Sequence, residues 1–160
     1  MSLAEQMVAE PPKIELEYAF SVRVDFKERV RWETPVAHRV WVPATGGAVW
    51  GPKLQGRVVP YSGADYANAY GLDAHYVLQA EDGAHIYIHN RGYLYPLNGE
   101  KPNLEDPRWG GDGEFYFRLT PQFDAEKGPH DWLNKTVIVG TGKRAAYPED
   151  HTVFTYYIVK

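Results

Sequence analysis

Glycine and proline interrupt this chain so regularly that long helices have almost nowhere to form. Its 160 residues include 15 Gly and 12 Pro, about one residue in six against a usual share of roughly 12%. Between the breaks, apolar residues alternate with polar ones or gather in short β-branched and aromatic runs, the pattern of an all-β sandwich or barrel. Strands are expected over residues 14–26, 38–42, 48–50, 54–60, 74–80, 84–90, 114–120, 136–140 and 152–159. One short helix fits, from Ala4 to Glu10, closed by Pro11 and Pro12, which cannot continue it. No repeat of fixed period and no linker divides the chain, so it reads as an N-terminal extension, residues 1–13, and one β domain, residues 14–160. With 44% hydrophobic residues and about 70% of the unfolded surface buried at this length, one core can be built.

Charge and composition exclude several functions. Seventeen basic residues against 21 acidic ones leave a net charge of -4, and no run of Lys and Arg offers a footprint for nucleic acid or an acidic membrane. Cysteine is absent, which removes disulfides, thiolate catalysis and Cys-based metal or iron–sulfur sites. The first residues carry two Glu and no long apolar run, so no secretory signal is read and the cytoplasm is the expected location. Ser62 lacks the Gly two positions earlier that a nucleophile elbow needs. Gly140-Thr141-Gly142-Lys143 resembles a phosphate loop superficially, but it lacks the earlier Gly and has Arg144 where Ser or Thr belongs; it reads as a turn. No cofactor is expected.

The clearest turn is Asp82-Gly83. A two-residue hairpin there pairs positions that sum to 165, setting His75 opposite Asn90, Tyr76 opposite His89 and Leu78 opposite Tyr87. Val77, Ile86 and Ile88 then share a face with His75, Gln79 and Asn90, and Tyr76, Leu78 and Tyr87 share the other with His85, His89 and Arg91. Two half-apolar faces suggest one lining the interior and one covered by a second subunit, hence a homodimer or higher homo-oligomer; singly exposed aromatics at Tyr76 and Tyr87 are the alternative. The segment from Leu97 to Gly113 shows no strand or helix pattern and is long for a loop, as lids and binding loops are. Trp109 anchors it, whether as a lid or as a solvated insertion.

Among candidate chemical groups, His85 and His89 have the spacing of a metal pair on a helix. In a strand, four residues at about 3.3 Å each separate them by roughly 13 Å, too far for one ion. No metal site is therefore assigned, and the arrangement left open is His75 with an Asp from another strand. Asp65 lies in a Gly-flanked stretch ringed by Tyr61, Tyr66 and Tyr70. Desolvated by aromatics, its carboxyl would hold its proton toward neutral pH and serve as acid or base; otherwise it accepts backbone hydrogen bonds in its own turn. Arg39 and Arg118 fall inside strand patterns, where a charge needs a partner. Each either clamps a ligand oxygen or pairs internally.

The run of motifs GG at 46–47, GPKLQG at 51–56, GAD at 63–65, LDAHY at 72–76, DGAHIY at 82–87 and NRG at 90–92 resembles the bacterial and fungal family named domain of unknown function 3237, or uncharacterised protein family 0311. Phe117-Arg118, Pro121, Phe123 and Trp132-Leu133-Asn134 extend the likeness over roughly residues 14 to 159. The resemblance implies a single closed antiparallel β-barrel, calycin/streptavidin-like or allene-oxide-cyclase-like, usually oligomeric and with no established general activity. It also implies Arg39, Asp65, Tyr76, Tyr87, Asn90, Arg118, Trp132 and Asn134 near the cavity. Tyr66 replaces the family's usual Trp after GAD, and the segment around Trp109 is unusually rich in Gly and Pro.

The functional expectation is a cofactor-free lyase, isomerase or cyclase acting on an apolar, aromatic or phenolic small molecule. Asp65, or His75 if it points inward, would move a proton. Tyr87 and Arg118, with Asn90, would orient the substrate and stabilise charge on oxygen. Arg39, Tyr66, Tyr76, Trp109, Trp132 and Asn134 would line its binding site. A lipocalin-like carrier of a hydrophobic ligand is the alternative, and a protein built only for assembly is a third reading.

Overall fold

The computed structural model describes residues 1–103, 105–106, 108–111 and 113–160; Leu104, Pro107 and Asp112 of the segment Leu97 to Gly113 lie outside the described residues. Its helices are short: α1 (Leu3–Met7), begun by a capping box between Ser2 and Glu5, and a 3₁₀ turn at Asp131–Lys135. The rest of the regular structure is β, and no described helix is long and apolar enough to cross a membrane.

The strands are β1 (Leu16–Asp25), β2 (Val30–Glu33), β3 (His38–Pro43), β4 (Gly46–Trp50), β5 (Gly56–Val58), β6 (Ala64–Ala67), β7 (Gly71–Ala80), β8 (His85–Pro96), β9 (Phe115–Leu119), β10 (Gln122–Ala125), β11 (Ile138–Ala145) and β12 (His151–Val159). They form one antiparallel sheet in which β8, β9, β11, β12, β1, β4, β5 and β7 follow one another and β7 pairs back onto β8. Along β7 the neighbour changes: Leu78–Ala80 pair with β5, whereas Ala74 and His75 pair with β6. From there β6, β3 and β2 branch away as a flap. The core lies inside this barrel-like arrangement, around Phe20, Val22, Leu78, Ile86, Ile88, Leu119 and Tyr156.

Three short strands, β2, β6 and β10, were not expected, and two readings are corrected. The first concerns the β7–β8 hairpin. Its partners sum to 164, with His75 opposite His89, Val77 opposite Tyr87 and Leu78 opposite Ile86. The loop has three residues, Glu81, Asp82 and Gly83; Gly83 N–H donates to Ala80 O at 2.9 Å and Gly83 takes φ 91°. This is a turn followed by a left-handed glycine, the usual three-residue hairpin. A shift of one residue exchanges faces. Leu72, Ala74, Tyr76, Leu78, Ala80, Ile86, Ile88 and Asn90 point inward, while Asp73, His75, Gln79, His85, Tyr87 and His89 point outward. The two half-apolar faces inferred from sequence thus resolve into an apolar inner face and a largely polar outer one.

The second correction is the stretch Gly140-Thr141-Gly142-Lys143, which is no turn but the middle of β11. A Cβ at Gly142 would stand 2.5 Å from the Phe117 ring, and one at Gly140 would stand 2.8 Å from the Tyr156 ring. These glycines make room for interior aromatics.

Candidate functional site

A cavity of about 80 Å³ opens under the flap. Its walls are apolar, from Val24 of β1, Val40 and Val42 of β3, Leu94 of β8, Phe117 of β9 and Phe154 of β12. Asp65, Tyr76, Arg29, Arg31 and Arg144 supply its charged and hydroxyl groups, and Trp109 covers part of it. Small-molecule sites have linings of this kind, apolar with a few convergent polar groups, and drug-sized ones have volumes of ~300–1,000 Å³, above the volume here. Room for several waters or one small group is present.

Asp65 reaches this cavity because β6 pairs with β3 and β7, setting Asp65 opposite Val42 and Ala74 on the inner face. It is half-buried, and the surface it keeps lines the cavity. Its Oδ1 accepts the backbone N–H of Asp73 at 2.9 Å, a bond across strands and not within its own turn. Loss of hydration pushes its proton affinity up to about 7; the Asp73 N–H and the Arg29 charge oppose that rise, and the Asp73 charge adds to it. A carboxyl so placed can give or take a proton near neutral pH.

Tyr76, on the cavity floor, is 2% exposed, and burial raises its phenol well above the ordinary value. It therefore stays a neutral donor. Asn90 and Tyr156 lie beside it, both fully enclosed. None of these three side chains completes a hydrogen bond of good geometry within the protein. Buried polar atoms without well-formed bonds are uncommon, and here they cluster at Tyr76, which lines the cavity, and behind it.

The mouth is cationic. Arg29 and Arg144 share Asp150: Arg29 Nη2 pairs with Oδ2, and Arg144 Nε with Oδ1 at 3.3 Å. Arg31 Nη1 pairs with Glu105 at 2.9 Å. Arg144 also donates to Trp109 O at 3.3 Å, while its own backbone N–H donates to Gly110 O at 2.8 Å. Burial and the neighbouring Arg29 lower its proton affinity. The Trp109 indole packs edge-on against Phe115, 5.1 Å between ring centres. The Leu97 to Gly113 segment is thus tied to the cavity by Trp109 and Arg144.

Of the residues singled out from sequence, Asp65, Tyr76 and Trp109 line the cavity, and Asn90 stands behind Tyr76. The others are elsewhere: those on strands because of strand alternation, and Trp132 and Asn134 because they sit on the 3₁₀ turn. Val40 and Val42 point inward, so Arg39 is exposed; Phe117 and Leu119 point inward, so Arg118 is exposed, its guanidinium 5.4 Å from the Tyr116 ring. Tyr66, His75 and Tyr87 lie on the outer face. Trp132 packs on Phe20 at 6.5 Å and does not reach the cavity. Asn134 grips β10: its Oδ1 accepts Ala125 N–H at 2.7 Å and its Nδ2 donates to Ala125 O at 3.1 Å.

Arg29, Arg31 and Arg144 were missed. A usable signal was present for two of them, since Arg29-Val30-Arg31 places both guanidinium groups on one side of a strand.

Comparison with known proteins agrees with the sequence resemblance. Residues 14–159 match the model of the family described as Protein of unknown function (DUF3237). A UPF0311 protein of Rhodopseudomonas palustris is 27% identical over 144 residues, covering 84% of this chain and 92% of its own. Among solved structures, a beta-barrel like protein from Acinetobacter baumannii is 28% identical with a TM-score of 0.76, covering 94% of this chain and 99% of that one. An enzyme from Penicillium herquei, 20% identical with a TM-score of 0.67 over 94% of this chain and 98% of that one, shares the fold. The chain belongs to the DUF3237 family.

Proposed function

We propose that this DUF3237 protein binds a small, mostly apolar or aromatic molecule in the cavity of a closed β-barrel and transfers a proton to or from it without a cofactor, as a lyase, isomerase or cyclase. The observation that carries this reading is Asp65, a carboxyl with proton affinity near neutrality in an apolar cavity that it shares with Tyr76 and Arg29. Asp65 is the acid or base. Tyr76 Oη, a neutral donor whose contacts with Asn90 and Tyr156 fall short of good hydrogen-bond geometry, holds a ligand oxygen. Arg29, close enough to influence Asp65, stabilises negative charge as it develops on that oxygen. A phenol or enol fits this set, with its ring against Phe117, Phe154 and Trp109. At about 80 Å³ the cavity takes the reacting portion of such a molecule, and a larger one requires the Trp109 segment to shift outward.

The test is to incubate the purified full chain with a panel of substituted phenols and enolisable ketones, following products by chromatography and mass spectrometry. Turnover that disappears in Asp65→Asn while ligand binding persists supports proton transfer. Turnover unchanged in Asp65→Asn refutes it. The apolar walls favour one second reading, a carrier of a hydrophobic ligand, which predicts stoichiometric binding and no product. Self-association completes the proposal. It rests on the outer strip where Tyr95 and Tyr116 stack at 5.0 Å beside the exposed Tyr93.

A further inference from the structure

The corrected hairpin register brings together three metal-ligating groups on the outer face, away from the cavity. Ala80 N–H donates to Ala84 O at 2.9 Å, so Ala80 and Ala84 form a hydrogen-bonded pair. Alternation along the ladder makes His75 and His89 a non-hydrogen-bonded pair, the kind in which side chains stand closest. Their imidazoles stack with centres 3.8 Å apart and 21° between planes. Asp73, two residues before His75 on β7, shares their face. Its Oδ1 lies 2.6 Å from His89 Nε2 and 3.5 Å from His75 Nε2. One ligand atom from each of the three lies within 4.8 Å of the others.

We infer that Asp73, His75 and His89 form a binding site for a divalent transition-metal ion, with Zn²⁺ as the first choice. Two imidazole nitrogens and one carboxylate oxygen suit a borderline ion, and three protein ligands leave a fourth position for water or an added ligand. Donor atoms around a tetrahedral ion with bonds of about 2.1 Å stand roughly 3.4 Å apart. The partly exposed side chains of His75 and Asp73 can make that adjustment. His75 is oriented from behind: its Nδ1 is hydrogen-bonded to Tyr87 Oη. With Nδ1 as the donor, Nε2 keeps its lone pair toward Asp73. Such a partner on the second ring nitrogen is the usual support of a ligating histidine.

Access is open as well. A shallow depression lined by Glu28, Trp41, Tyr61 and Tyr66 adjoins His75, so the fourth position has space for an exchangeable ligand. Asp73 has a second role, since its backbone N–H holds Asp65 at the cavity wall. The metal site and the cavity therefore lie on opposite sides of one strand, and a bound ion would fix the residue that positions Asp65.

Zinc chloride titrated calorimetrically into the chelator-stripped full chain at neutral pH tests this directly. One ion per chain is expected, with affinity reduced at least ~10–100-fold in His75→Ala, His89→Ala and Asp73→Asn. Tyr87→Phe should lose roughly tenfold, and His85→Ala, on the same face but outside the cluster, should bind as the parent does. Nitrogen-detected NMR of the unmutated protein supplies a readout independent of folding: zinc should shift Nε2 of His75 and His89 together. No binding by the parent chain, or equal binding by a folded His75→Ala/His89→Ala double variant, would overturn the inference.

Discussion

The backbone N–H of Asp73 holds the Asp65 carboxyl at 2.9 Å, while the side chain of Asp73 points the other way, to His89. One residue of β7 thus fixes an acid inside the cavity and carries a ligating group outside it. The rise in proton affinity at Asp65, to about 7, has a sign that can be checked. The folded state binds this proton more tightly than the unfolded chain, so the contribution to stability is complete below the unfolded carboxyl value and is lost as pH rises through about 7. Asp65→Asn keeps the acceptor for Asp73 N–H and cannot ionise. Its denaturation curve should run parallel to the parent's below about pH 4. The parent should then fall behind by up to ~4 kcal/mol by pH 9, measured by urea unfolding of both proteins across that range.

Tyr76 separates stability from function. Its hydroxyl meets Asn90 and Tyr156 without a hydrogen bond of good geometry, so Tyr76→Phe removes a desolvated polar atom and gives up only those weak contacts. Stability should be unchanged or rise by about 1 kcal/mol, while affinity for a phenolic ligand should drop several-fold. Thermal melts and ligand titration on the same preparation distinguish this from a structural role, which would lower stability.

Gly142 should not tolerate a side chain. A Cβ there would meet the Phe117 ring at 2.5 Å, deep in the cavity wall. Gly142→Ala is expected to cost about 1–3 kcal/mol as Phe117 is displaced. Gly99→Ala gives a contrast, since nothing lies within 4 Å of a Cβ there and only the left-handed backbone resists, at roughly 1 kcal/mol. Denaturant midpoints of the two variants should rank in that order.

Arg144 holds the cover over the cavity. It donates to Trp109 O and pairs with Asp150, and its side chain is 11% exposed. Arg144→Met should free the Trp109 segment, lower stability by ~1–3 kcal/mol and shift the emission attributable to Trp109 toward the red. The difference from a Trp109→Phe control isolates that one indole among the five tryptophans.

Much of the β architecture was legible because alternation is a local signal: β1, β7, β9 and β12 fall close to their expected spans. Register was not, because it depended on one loop. Asp82-Gly83 matches a two-residue turn in sequence, yet Glu81 joins the loop, and that single residue moves His75 from the face of Asn90 to that of His89. The same slip concealed the Asp73, His75 and His89 cluster. Asp65 was singled out for the tyrosines near it in sequence, but Tyr61, Tyr66 and Tyr70 are exposed and none of them lines the cavity. Its surroundings there are residues such as Val42, Ala74 and Tyr76, and its hydrogen bond comes from Asp73 on the adjoining strand and not from its own turn. The arginines of the mouth come from β11 and from residues in and just before β2, segments far apart in sequence that meet only in three dimensions. Arg39 and Arg118 were singled out as charges within strands, and the inward valines and phenylalanine beside them turn both outward.

The proposal that this cavity moves protons depends most directly on the ionisation of one group. Carbon-detected NMR of aspartate-labelled protein, with the Asp65 side-chain carboxyl assigned by its absence in Asp65→Asn, measures that ionisation. A titration midpoint near 7 is predicted. A midpoint near 4, the value of an ordinary solvated aspartate, would contradict it.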